Sequence, residues 1–308
     1  MKIKIFNAFS RVLLAVAILG DINLAYSKSS EISYHINIFF KGKERLERLD
    51  LVDYELNAQL LILYNNLPWS KKLPDFFEQM TDSEISEVFN ILNIMTHHTN
   101  QVELVRKFIS VSYELESRGD LSSSDEAIVL SEILAARLFE EAIDYKSKHP
   151  EIMQEIPGLI NAGNLMAPTV MELTSDGKNL LRKEFIFPPG GFIVIVGSPF
   201  CHFSMNAMKA ITGDRRIGEK IAGKVQWIGP QDRKNEISAI RNWNKLYPET
   251  PLSIVYRADD WQQLHSWETP NFYFFNNGVL VDSFAGWPRE GRIDRFLQGL
   301  RAVGLTNE

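Results

Sequence analysis

Gly197-Ser198-Pro199-Phe200-Cys201-His202-Phe203-Ser204 carries the chain's one cysteine. It lies between a β-branched run, Phe192-Ile193-Val194-Ile195-Val196, and a stretch from Met205 to Ile211 in which Ala207 and Ala210 favour helix. A cysteine at that junction stands at a helix N-terminus. Unpaired N–H groups and the positive end of the helix dipole there stabilise thiolate over thiol. A protonated His202 would push the same way. Thiolate is the attacking form, so nucleophilic sulfur is the chemistry this context permits. The bland alternative for a single cysteine is a buried, inert small hydrophobe.

The surrounding pattern is strand and helix in alternation. Val170-Met171-Glu172-Leu173, the turn Ser175-Asp176-Gly177, and Leu180 to Phe187 read as strand, turn and strand. The break Pro188-Pro189-Gly190-Gly191 precedes the Phe192–Val196 run, whose continuous apolar character predicts a strand buried on both faces. Strands are expected at Lys224–Ile228 and Leu252–Tyr256, with helices at Arg233–Leu246 and Asp260–Trp267. Two strands, Asn271–Phe275 and Val279–Phe284, flank the hairpin signal Asn276-Asn277-Gly278, and an amphipathic helix over Arg289–Val303 closes the chain. The sum is an α/β layered domain.

Upstream the periodicity is helical. Leu46, Leu49, Val52, Leu56, Leu60 and Leu63 recur at helix spacing. Thr81 with Glu84 forms a capping box, and Asn100 with Glu103 reads as a second. The triplet Ser122-Ser123-Ser124 introduces a helix expected from Asp125 to Lys148, stopped by Pro150. His97 and His98, adjacent at a helix end, suit a dipole-stabilised last turn better than a metal site. Residues 151–168, with Pro157, Pro168, Gly158 and Gly163, read as a linker. The expected division is residues 1–27 as a leader, 28–165 as an all-helical domain, and 166–308 as the α/β domain.

The leader rests on Lys2, Lys4 and Arg11, the apolar run Val12–Gly20, and Ala25-Tyr26-Ser27 as a cleavage site. Cleavage after Ser27 implies export; an uncleaved segment would anchor the chain to a membrane. A formal net charge of −6 speaks against nucleic acid as a partner. No zinc, calcium or P-loop motif appears, so no cofactor is expected.

Phe192 to Ser204 resembles, without a gap, the strand, aromatic residue and Cys-x-x-Cys of the thioredoxin superfamily, with Phe200 at the usual tryptophan position. Thr269-Pro270 before a strand, and the hairpin ending Phe284-Ala285-Gly286, look like that family's cis-proline loop and terminal hairpin. The leading hairpin and the extra strand–helix before Leu252 are similar to exported bacterial thiol–disulfide reductases of the TlpA type. The resemblance covers about Val170 to Val303. It implies a thioredoxin-like fold, a central mixed sheet flanked by helices, and a periplasmic location. It also implies that Pro270 is cis against the sulfur and that the Thr269 backbone and Phe200 meet a bound substrate. His265 and Glu268 approach through the same loop and receive no role.

The chain departs from the family at Ser204, where the second cysteine belongs, and at Ile195, where a buried acid often stands. No internal disulfide can then close. The resemblance implies a Cys-x-x-Ser monothiol site of Cys201, His202 and Ser204, with Ser204 donating to the thiolate. Its partners would be protein thiols or disulfides, or glutathione. Two other readings stay open: a redox-inactive binding or scaffolding module, and peroxide reduction through a sulfenic acid at Cys201. Trp261 or Trp267 would line a substrate groove. The helical half would supply a dimer interface, a partner-docking surface or a cover.

Overall fold

The computed structural model of the chain describes residues 31–49, 51–233 and 236–306. The expected leader over residues 1–27 lies outside them. Among the described residues, no helix is long and apolar enough to cross a membrane. The chain divides into two compact units, Met1–Glu132 and Ile133–Glu308.

The first unit is helical. It contains α1 (Glu31–Glu47), α2 (Asp53–Asn65), a 3₁₀ segment (Leu73–Gln79), α3 (Asp82–Thr99), α4 (Val102–Arg118) and the start of α5 (Ser123–Ala135). The Thr81–Glu84 capping box forms at the head of α3: Glu84 N–H donates to the Thr81 hydroxyl at 3.3 Å, and Thr81 N–H donates to the Glu84 carboxylate at 2.9 Å. The second expected box does not form. Asn100 instead ends α3 in the left-handed conformation, and the α4 N-cap is Gln101 with no side-chain bond. Asparagine tolerates positive φ better than other non-glycine residues, and here that property decides its place. The leucine spacing over 46–63 spans two helices rather than one. Leu46, Leu60 and Leu63 are buried, whereas Leu49 and Val52, in the break, are exposed. His97 and His98 occupy the last turn of α3.

The second unit holds α6 (Phe139–Lys148) and an eight-stranded mixed sheet. Its strands are β1 (Gly158–Asn161), β2 (Thr169–Leu173), β3 (Asn179–Glu184), β4 (Gly191–Val196), β5 (Val225–Gly229), β6 (Leu252–Val255), β7 (Asn271–Asn276) and β8 (Val279–Ala285). Their order is β1-β3-β2-β6-β5-β4-β7-β8. Strands β6, β5 and β4 run parallel; β7 pairs antiparallel with β4, and β8 with β7. The helices are α7 (His202–Gly213), α8 (Arg215–Ile221), α9 (Ile237–Leu246) and α10 (Ile293–Ala302).

All of β4 is buried, as its composition requires. Phe192, Val194 and Val196 join Val170, Ile228, Val255, Tyr273 and Phe275 in one cluster, closed by Trp261 and Leu264. Phe272 and Phe274, alternating with Tyr273 and Phe275 along β7, instead meet Phe296 of α10 at ring separations of 5.8 and 5.5 Å. Gly299 of α10 lies so close to the Phe274 ring that a Cβ would collide with it.

Three expectations change in this unit. The helix foreseen over 125–148 is two helices, α5 and α6, broken at Arg137 (φ 65°). Arg137 is buried and donates to Leu134 O at 3.2 Å, Val255 O at 2.6 Å and Tyr256 O at 3.0 Å. Its guanidinium serves the end of β6, a tertiary demand that helix propensity does not express. The foreseen helix over 260–267 is a single 3₁₀ turn, Ala258–Asp260, followed by loop. Trp261 and Leu264 are buried three residues apart, which mimics helical spacing. The foreseen linker contains β1, parallel to β3, and the short helix α8 had no counterpart in the sequence reading.

Candidate functional site

The site is built where β4 gives way to α7. Gly197 N–H donates to Ile228 O at 2.9 Å, holding the strand end to β5. A Cβ at Gly197 would stand 2.7 Å from Trp227 Cε3, so glycine alone fits beside that ring. A tight turn follows: Phe200 N–H donates to the Ser198 hydroxyl at 3.2 Å, and Cys201 N–H donates to Ser198 O at 3.1 Å. Cys201 is the N-cap of α7, with φ −96° and ψ 111°, and its carbonyl accepts from Met205 N–H at 3.0 Å. Ser204, one turn on, is fully buried, and its hydroxyl oxygen accepts from Ser198 N–H at 3.3 Å.

Cys201 is partly exposed, and its S–H donates to Thr269 O at 3.1 Å. Burial pushes the Cys201 thiol up. The Thr269 side chain, the Ser204 N–H and hydroxyl and the Phe203 N–H outweigh that and leave it below its ordinary value. The Thr269 carbonyl works the other way, since it accepts only from the protonated thiol.

Thr269 is held from both sides. The Tyr273 hydroxyl, on β7, donates to Ser266 O at 2.6 Å and accepts from Ser266 N–H at 3.0 Å. Glu268 N–H donates to the Ser266 hydroxyl at 3.2 Å, and Gly286 N–H donates to Pro270 O at 2.8 Å. The Thr269–Pro270 peptide is cis.

Cys201, Ser204 and Thr269 therefore come together, with Pro270 buried behind them. Phe200 and Phe203 are 46% and 42% exposed beside the sulfur-bearing turn. The His202 ring lies on the Phe203 ring, centroids 3.8 Å apart. The His265 ring meets Tyr273 at 5.3 Å. Trp261 is a core residue and lines no groove; Trp267, half-buried, packs edge-on against it at 6.5 Å. Ile195 is fully buried. Ser198, Phe203, Ser266 and Tyr273 were not singled out in the sequence. Ser198 carried a signal, because Ser-Pro favours a turn closed by the serine hydroxyl. The Tyr273 hydroxyl was masked by its setting among phenylalanines.

A parallel β5–β4 pair, antiparallel β7 and β8 beside it, and a cysteine at the β4–α7 junction facing the Thr269–Pro270 loop complete the frame. The fold is thioredoxin-like. No protein-family model matches the chain, and no curated protein does. Among solved structures, the chain is similar to a thioredoxin-like protein from Bacteroides caccae. The identity is 12% and the TM-score 0.29, over 85% of this chain and 92% of that one. At that score the superposition is loose, and strand order and site geometry support the fold instead.

Proposed function

We propose that this chain is an exported monothiol exchanger of the TlpA type, working through Cys201 in a Cys-x-x-Ser site. The observation that carries the reading is a partly exposed cysteine at a helix N-cap, with its pKa drawn down by hydrogen-bond donors around it. The Cys201 thiolate attacks one sulfur of a disulfide R–S–S–R′, forming Cys201–S–S–R and expelling R′S⁻, which takes a proton from water. A second thiol, from glutathione or a protein cysteine, attacks the R-bearing sulfur as its thiolate, forming a new disulfide and expelling the Cys201 thiolate. The sum is exchange: one disulfide is consumed and one formed, and Cys201 ends as it began. Ser204 supports the attacking thiolate and cannot resolve the mixed disulfide.

The test is the pH dependence of Cys201 alkylation by iodoacetamide in the chain beginning at Lys28, with the urea-unfolded chain as reference. An apparent pKa below the ~8.5 of an ordinary cysteine, with accumulation of a glutathione adduct from oxidised glutathione, is the expected result. A folded-state rate no faster than the unfolded rate at any pH would end the redox reading. The exposed Phe200 and Phe203 would then favour a binding surface on a redox-inactive fold.

A further inference from the structure

We propose that Tyr273 is a positioning residue for Cys201, acting through its hydroxyl on the loop that carries Thr269. The inference rests on the reading that Cys201 is a reactive thiol. Tyr273 is fully buried on β7, on the sheet face shared with Phe275 and Val194, where a phenyl ring would satisfy packing. Its hydroxyl is used twice on a single residue, donating to Ser266 O at 2.6 Å and accepting from Ser266 N–H at 3.0 Å. Both backbone groups of Ser266 are thereby fixed to the sheet three residues ahead of Thr269. Beyond Thr269, the Gly286 N–H bond to Pro270 O at 2.8 Å fixes the other end. The loop is a strap pinned at each end, and the residue between the pins accepts the Cys201 S–H at 3.1 Å.

Burial, and the charge of Glu268 beyond it, push the Tyr273 phenol up to about 12, so its proton stays in place throughout the range in which a thiol titrates. The groups facing this assembly are the His265 ring against Tyr273, Glu268 within the strap, and His202 next to Cys201 in sequence. Loss of the Tyr273 hydroxyl frees Ser266 and lets Thr269 drift from the sulfur. Retreat of Thr269 removes both the carbonyl that accepts from the thiol and the side chain that favours thiolate, so the apparent pKa of Cys201 leaves its wild-type value.

The experiment compares wild type, Tyr273→Phe and Tyr64→Phe by the pH–rate profile of iodoacetamide alkylation, with thermal unfolding measured alongside. Tyr64, in the helical unit, donates to Ser70 O at 3.5 Å, so Tyr64→Phe also removes a buried hydroxyl but leaves the strap intact. One hydrogen bond is worth roughly a tenfold change at most in thiolate fraction, and nucleophilicity rises partly to offset it. Tyr273→Phe should therefore change the alkylation rate at pH 7 roughly two- to fourfold, with its profile displaced from wild type along the pH axis. Tyr64→Phe should keep the wild-type profile. A folded Tyr273→Phe whose profile superimposes on wild type overturns the inference, as does an equal displacement in Tyr64→Phe. A wild type that reacts no faster than its unfolded chain instead overturns the redox reading, so the two failures are distinguishable. If Tyr273→Phe does not fold, Ser266→Pro serves: it removes the N–H that the Tyr273 hydroxyl accepts from, and it must displace the profile from wild type.

Discussion

Gly197→Ala places a methyl group where the structure has least room for one. The added Cβ would stand 2.7 Å from Trp227 Cε3 and 2.8 Å from Cζ3, against an optimal carbon–carbon separation of ~3.5–4.0 Å. The ring cannot swing aside, because Trp227 is fully buried on β5 and meets Trp243 at a ring separation of 5.3 Å. The strand cannot retreat without lengthening the Gly197 N–H bond to Ile228 O, now 2.9 Å. Overpacking of this kind costs about 1–3 kcal/mol, which for a domain of this size lowers the unfolding midpoint by about 2–12 °C. Gly213→Ala is the matched control, since no atom lies within 4 Å of the added Cβ at the end of α7. It should be neutral or slightly stabilising through helix propensity. The assay is thermal unfolding by circular dichroism, completed by a double-mutant cycle with Trp227→Phe, which removes the offending ring edge. Gly197→Ala should cost less in that background, with a coupling of about 1 kcal/mol. A midpoint for Gly197→Ala equal to that of Gly213→Ala, or no coupling to position 227, would refute the close approach.

Two further outcomes follow from the same geometry. Arg137→Ala takes the side-chain donor from two backbone carbonyls at the β6 terminus, while Leu134 O keeps its bond from the residue 137 N–H, and should cost about 2 kcal/mol or more in urea unfolding. Arg137→Lys should restore little, because one ammonium cannot serve a planar fork's acceptors; a loss under 1 kcal/mol for Arg137→Ala would contradict this role. Ser204→Ala removes the acceptor of the buried Ser198 N–H and a donor to the sulfur. It should cost about 1–3 kcal/mol in thermal unfolding and move the alkylation profile of Cys201 to higher pH, and an unchanged profile would contradict it. The sign of the linkage is fixed. A thiol whose folded pKa is lowered adds stability that is fully present above the unfolded pKa and is lost as pH falls through the folded one.

The parts of the fold set by local rules were legible. A continuous β-branched run gave β4, Asn-Asn-Gly gave the β7–β8 hairpin, and Thr81-x-x-Glu84 gave the head of α3. What escaped was set by partners distant in sequence. Arg137 breaks a helix because carbonyls at residues 255 and 256 need a donor. Trp261 and Leu264 imitate a helix because the same cluster buries both. At the site, the meeting of Cys201 with Thr269 was implied by the family resemblance, whereas the residues alone gave only a turn before a strand. Ser-Pro at 198–199 signals the turn that holds Cys201, whereas Tyr273, which holds the Thr269 loop, appears only when that loop is folded.

Ser204 decides what kind of chemistry a reactive Cys201 would perform. Its hydroxyl oxygen is engaged by Ser198 N–H in a fully buried position, so serine here is part of the turn that aims the sulfur. The same turn therefore favours thiolate and withholds a resolving thiol. A mixed disulfide formed at Cys201 would last until an outside thiolate reached it, with Phe200 and Phe203 exposed on either side of the cysteine in sequence. Its lifetime would be governed by access and by the leaving-group thiol rather than by an intramolecular partner. On this reasoning the identity of the second thiol, and not the reactivity of the first, would set the specificity of an exchange at Cys201.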